Sequence, residues 1–440
     1  VLYLARSNNL EIMGGGLVAK NINLNSDGDI TNQGNISAFE QLSLNTKNDI
    51  INRGGWITAS DISLTAHTGD IVNDKQGVIS SDNTLALDAG RDINNIGSVI
   101  EADGDAQILA GRDINVISTK GDPLYKFTQE RQKNGDVKST RVTTETLNTA
   151  RIDIGGNGDF AAGRDLNLVG AEVNVKGNTV VNVDRDVNLS SLTASTTTET
   201  YEKKALDTGP KKVDLAVKTV KKTVDHFKYA EVRREAFSYG WSGLLNNAYD
   251  NHFKGVKSNV LSKTVTSKAE LNGQEQQYVD SQVVVSDEQG SSFNVGSNLS
   301  LNSGRNVNLS ASDVSVEGSA SLQVGGSLLL ESKKEKQERV SKEQFLRYDV
   351  KRIDTVKTIK TGAYGLNTET IMDYYGVKSR LTDVDVSKNS SVIGEKTSSF
   401  KVKNDLNVSL NKSLRNTKKS EISGADTTVF AGDKIENTGG

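Results

Sequence analysis

The sequence of 440 residues contains no cysteine and only two prolines, Pro123 and Pro210. Without cysteine, disulfide stapling is excluded, a composition that suits a chain exported unfolded. With so little proline, long stretches can be strands that donate every backbone N–H to a ladder. Aromatic residues make up 5% and apolar residues 35% of the chain. That is too little for a broad globular core at this length, but enough for a narrow column of Ile, Val, Leu and Ala. The net charge is −3, so no general attraction to nucleic acid or to an anionic membrane is expected. No apolar run approaches the length of a membrane span. Three histidines, His67, His226 and His252, are too few and too scattered to form a metal site. No metal, no cofactor and no catalytic residue is expected.

What the sequence does contain is a repeat. AGRDIN at 89–94 returns at 110–115, and the anchoring aspartate recurs as Asp29, Asp49, Asp70, Asp92, Asp113, Asp165 and Asp186. In the same frame Asn306, Ser327, Asp405 and Lys434 stand in its place. A period of about 20 residues over most of a chain means a solenoid. Pairs such as Ile30/Asn32 and Ile93/Asn95 follow the anchor at period two, pairs such as Leu42/Leu44 precede it, and pairs such as Ile57/Ala59 follow a turn glycine. Three short strands per period, with Gly, Asn and Asp between them, make one triangular coil. The fold class is therefore all-β, a right-handed parallel β-helix of about twelve coils with 20–21 residues each. The handedness comes from the crossover rule. A single coil cannot bury its own apolar face, so stability has to come from stacking.

Residues 1–118 read as continuous coils whose inward Asn32, Asn52, Asn73 and Asn95 form an amide ladder. From Val116 onward the same slot is aliphatic, with Leu168, Leu189, Leu309, Leu330 and Val408. Coils then come in pairs, at 151–194 and 292–331, with terminal coils at 400–440. Between them lie polar excursions at 119–150, 195–291 and 332–399. The first is a hairpin turning at Asn134-Gly135, and the second holds another turning at Asn272-Gly273. In the second, Val213, Val217, Val220, Val224 and Phe227 keep helical spacing and predict an amphipathic helix over 211–235. Shorter helices are predicted at 242–253 and 368–375. The first residues already read as a coil and the last break off in another, so the sequence is expected to be an excerpt of a longer chain.

Repeated AGRDIN and GDI, coils such as ITNQGNISA and INRGGWITAS, and the later run AGRDLNL through GNTVVNVDRDVNLSSLTASTTTET resemble the haemagglutinin repeats of filamentous-haemagglutinin-like exoproteins. The resemblance covers the coil-forming part, and the excursions share only the family's style. It implies a bacterial two-partner-secretion substrate, exported by an outer-membrane β-barrel partner to the cell surface or the medium. Such proteins act as adhesins, as haemolysins, or as sticks that carry a C-terminal toxin in contact-dependent growth inhibition. It also implies partners on a host cell or a target bacterium, and it supports the right hand of the helix.

Two features of the sequence bear on chemistry. The aspartate column could suggest a polysaccharide-cleaving β-helix, but such an enzyme needs two unlike carboxylates in an open groove. A column of turn caps, with Arg91, Arg112, Arg164 and Arg185 beside it, explains the pattern without catalysis. The excursion at 195–291 carries the candidate contact residues: Lys211, Lys212, Lys218, Lys221, Lys222 and Lys228 on the predicted helix, with Tyr239 and Trp241 close by. They would meet an acidic partner or, transiently, a membrane surface.

Overall fold

The computed structural model describes residues 9–132, 136–214, 218–220, 262–361, 367–368, 375–416 and 420–437. All of its regular structure is strand. One face is a twelve-stranded parallel sheet, ordered along the chain from Leu10–Ile12 to Lys434–Asn437. Its inward column runs Ile30, Ile50, Ile71, Ile93, Ile114, Leu166, Val187, Val307, Leu328, Leu414 and Ile435, each directly beside the next. The sequence separation jumps between Ile114 and Leu166, between Val187 and Val307, and between Leu328 and Leu414. The register does not. Three long insertions are looped out while the stack continues beneath them.

The other two faces are also parallel. In the early coils one bent strand serves both, as in Asn35–Thr46 and Trp56–Ala66, with a bulge at the corner. Later coils use two strands, such as Arg151–Ile154 and Gly158–Ala162. Inward Ile36, Leu44, Ile57, Leu64, Ile108 and Val181 are fully buried, and alternate residues face water. The parallel solenoid read from the repeat is what the chain forms.

The excursions are arms, and the arms form a second sheet. The first sends out Leu124–Arg131 and returns through Val137–Thr144. The second sends out Leu192–Asp214 and returns through Ser262–Gln289, on which Lys218–Val220 also pairs. The third sends out Lys333–Thr361, with Asn367–Thr368 beside it, and returns through Tyr375–Lys396. Returning and outgoing strands of successive arms pair with each other, Thr140 against Thr200 and Ser281 against Ser341. The result is one eight-stranded antiparallel sheet. Spacing explains why it closes: arms leave at every second coil, and two coils span about the same 9.6 Å as the two strands of one arm.

The helix predicted over 211–235 is corrected at its described positions, because residues 211–214 and 218–220 are strand. Residues 215–217 and 221–261 lie outside the described residues, as do the second predicted helix and the hairpin turn at 134–135. The hairpin expected to turn at Asn272-Gly273 is corrected: both residues lie inside the continuous strand Ser262–Gln289, where Gly273 pairs with Thr208 of the outgoing strand. Thr368 and Tyr375 are strand rather than the ends of a helix. Valines at helical spacing also suit a strand, and here a neighbouring strand is available to pair with them.

Candidate interaction surface

The aspartate column is a chain of caps. Each carboxylate accepts the backbone N–H of the next anchor: Asp70 N to Asp49 Oδ1 at 2.8 Å, Asp92 N to Asp70 Oδ1 at 3.0 Å and Asp186 N to Asp165 Oδ1 at 3.1 Å. An arginine from the following coil then covers it. Arg91 Nε and Nη2 lie 2.9 and 2.6 Å from the two oxygens of Asp70, and Arg112 holds Asp92, Arg164 holds Asp113 and Arg305 holds Asp186. Burial pushes the Asp92 carboxyl up, but the Arg112 guanidinium, the Asp113 amide and the charge of Arg164 outweigh it and hold the carboxyl below its usual range. From Asp70 to Asp186 each carboxylate of the column has an arginine beside it, so these five repeat one setting and none is matched with an unlike partner for acid–base work.

Asp405 does not belong to this column. Leu414 lies beside Leu328, which makes Ser413 the anchor of that coil, with its Oγ 3.1 Å from Ser327 Oγ. Asp405 instead belongs to the turn column of Asp105, Asn157, Asn178 and Asn298, because Leu406 lies beside Ala320. Val408 likewise lies beside Leu322, and the inward slot after Leu330 returns to Asn416. The run KNDLNV imitates the anchor motif, which is why the two turns look alike in sequence. Asn157 of GGNGDF is occupied in the same turn column, its amide 2.7 Å from Asp105 Oδ1. No group of three metal-ligating side chains occurs among the described residues.

The inward asparagines form the expected ladder, with Nδ2 to Oδ1 distances of 2.8 Å from Asn32 to Asn52, 2.8 Å from Asn52 to Asn73 and 3.0 Å from Asn73 to Asn95. Each also closes the next corner, Asn52 Nδ2 reaching Gly55 O at 2.9 Å. The corner residue must then be small: a Cβ on Gly55 would lie 2.7 Å from Asn52 Oδ1 and 2.9 Å from Gly34 O. The corner residue is already Ser98 where the slot is Asn95, whose Nδ2 reaches Ser98 O at 2.9 Å, and it is Ala150, Ala171, Ser291, Ser312 or Ser398 where the slot is aliphatic. The hydroxyls take over the capping, Ser291 Oγ donating to Ser190 O at 2.7 Å and Ser398 Oγ to Glu331 O at 2.5 Å. All three arms leave from this corner. A second ladder, unnoticed in the sequence, runs on the outside through Asn94, Asn115, Asn167, Asn188 and Asn308, at 2.8 to 2.9 Å. Its signal is the asparagine that ends each RD-x-N motif and, at Asn308, the run RNVN.

A glutamate at the root of each returning strand fastens the arm. Glu145 takes Lys120 Nζ at 2.8 Å and, from the second arm, Ser195 N at 2.8 Å. The Lys120 bond leads in holding its carboxyl low against burial. Glu288 takes the Ser191 hydroxyl and Thr193 Oγ1, and Glu395 takes the Ser332 hydroxyl. Further out, one face carries Tyr201, Asp280 and Lys342 on a single rung. Burial, with the Asp280 charge adding, pushes the Tyr201 phenol up to about 12. Burial also raises Asp280, against Lys342.

The sheet gathers some of the anticipated contact residues. Lys211 and Lys212 pair in register with Leu271 and Glu270, and Lys218 with Val265. Lys221, Lys222, Lys228, Tyr239 and Trp241 lie outside the described residues. His67 is exposed on a coil.

A parallel β-solenoid that alternates coil pairs with arms defines a repeat-built filament segment. The hemagglutinin repeat family matches this sequence twice, over residues 132–224 and 248–345, so these stretches are hemagglutinin repeats, which supports a filamentous haemagglutinin-like protein. Each match runs from one arm, through a coil pair, into the next arm. The arms are thus part of the repeat, which corrects the expectation that they share only the family's style. No curated protein and no solved structure was found to match the chain.

Proposed function

We propose that this chain is a non-enzymatic segment of a secreted, surface-displayed bacterial filament, in which the solenoid supplies reach and the arm sheet supplies contact. The observation that carries the reading is how the side chains are used. The carboxylates and amides of the coils are spent on one another, rung after rung, whereas the arm sheet stands off the stack with polar, partly exposed residues on both faces. The filament serves adhesion to a host cell or presents a C-terminal toxin to a neighbouring bacterium. Its family context supports export through an outer-membrane β-barrel partner by two-partner secretion. A haemolysin-type role at a membrane is the second reading, favoured by the lysines at 211–228, and a polysaccharide-degrading enzyme is the third.

The test is binding of the labelled chain to whole bacteria, animal cells and protein-free liposomes. Each is compared with a variant in which residues 191–291 are replaced by the Gly-Ala link that joins two armless coils at 170–171. Loss of bacterial or animal-cell binding in the variant supports contact through the arm, and loss of liposome binding supports the membrane reading. Equal binding by both proteins refutes the arm as the contact element.

A further inference from the structure

The arm sheet ends, on the side of the armless early coils, in the strand Leu124–Arg131, which among the described residues pairs only with Val137–Thr144. All eight of its residues are exposed, including Leu124, Tyr125 and Phe127 at 65%, 64% and 59%. One row of N–H and C=O groups therefore has no strand beside it, the setting in which another chain adds to a sheet. The charges point the same way. In the adjoining strands they are paired across the sheet, Lys138 with Glu202 at 3.1 Å and Arg141 with Glu199 at 4.0 Å. Lys126, Glu130 and Arg131 make no ion pair among the described residues, and Lys138, the register partner of Glu130, is already engaged.

We infer that this edge is a self-association site, taking the same strand of a second copy in antiparallel register centred on Thr128. Directly opposed residues in an antiparallel pair turn their backbone groups both toward the partner or both away from it, so when a strand pairs with its own copy their numbers must sum to an even value. A two-fold contact therefore has its centre on a residue. Centred on Lys126 or Glu130, the contact sets a like charge against its own copy; centred on Phe127, it leaves Glu130 facing Leu124. Centred on Thr128, it sets Lys126 opposite Glu130 twice and Tyr125 opposite Arg131 twice, an ion pair and a cation–π contact repeated by symmetry. Phe127 falls opposite Gln129. Tyr125 already holds a cation in this way, with Arg141 5.4 Å from its ring centre. The contact joins two arm sheets into one and makes the filament segment bivalent.

Sedimentation equilibrium of the full chain tests this. The wild-type chain is expected to dimerise with concentration. Lys126→Glu and Glu130→Lys should each weaken the dimer about tenfold or more, and the double variant, with the opposite charges exchanged, should regain it. Far-UV circular dichroism of each variant checks that the fold is retained. A wild-type chain that stays monomeric to about 100 µM, a weak association by this scale, overturns the proposal. So does a dimer that both single variants leave unchanged, or a double variant no better than the singles.

Discussion

Asn52 shows how much one side chain carries in this fold. It accepts from Asn32, donates to Asn73 and reaches the carbonyl oxygens of Gly55 and Val78, at 2.9 and 3.2 Å. Leucine first occupies the same slot four coils later, at Leu168, where the corner residue is Ala171 rather than a glycine. Asn52→Leu alone should therefore destabilise its coil by about 1–3 kcal/mol for each buried group left unpaired, read as lost hydrogen-exchange protection at 30–32 and 71–74. Adding Gly55→Ser should not restore it, because the new Cβ would still lie 2.9 Å from Gly34 O and against Asn32 Nδ2. The ladder was legible in the sequence because asparagine recurs in an inward slot. The matching change from glycine to serine was not, since it appears only when residues three apart in sequence meet at one corner. Acid should act on the two sheets with opposite sign. Asp92 is held below its unfolded value, so its contribution is complete above about pH 4 and is lost as pH falls through the folded value. Asp280 is raised, so the penalty of its charge is relieved as pH falls through its folded value. Hydrogen exchange between pH 6 and pH 3, corrected for intrinsic rates, should show the coil at 91–113 opening while the rung at 280 does not.

At the level of the element, a coil without an arm needs only Gly170 and Ala171 between Leu166–Val169 and Glu172–Val175. An arm is thus an insertion at a corner that can close without it, which predicts a separation of stabilities. Replacing residues 191–291 by Gly-Ala should leave exchange protection in the coils at 158–190 and 299–330 close to wild type. It should expose 137–144 and 337–343, which lose their neighbours in the sheet. Loss of protection in those coils would mean that the arms hold the solenoid together. The hairpin of the first arm was legible from an Asn-Gly between alternating segments. The long strand predicted as a helix in the second arm was not, because valines spaced three and four apart satisfy a helix face, while the strand that displaces the helix is the returning strand of that arm, as far away in sequence as Ala269 is from Val213.

On the scale of the whole molecule, two repeats of different kinds run in step. Coils stack at one strand spacing, and one two-stranded arm leaves for every two coils, so the arm sheet grows at the rate of the solenoid. The period of the coils could be read from the anchor positions even across the gap from Asp186 to Asn306. Union of the arms could not, because nothing in the sequence of one arm names the strand of another. The most direct measurement exploits the absence of cysteine. Paired substitutions Thr140→Cys with Thr200→Cys, and Arg141→Cys with Glu199→Cys, place thiols on directly opposed residues of the first and second arms, about 4.5–5.5 Å apart at Cα and within disulfide range. Ser281→Cys with Ser341→Cys does the same for the second and third. The account predicts rapid intramolecular disulfides on mild oxidation, seen as peptides linked in mass spectrometry. Partners moved by four residues, such as Thr140→Cys with Thr196→Cys, should remain reduced. Free thiols in every matched pair, or equal linkage of the displaced pairs, would show three independent arms and contradict it.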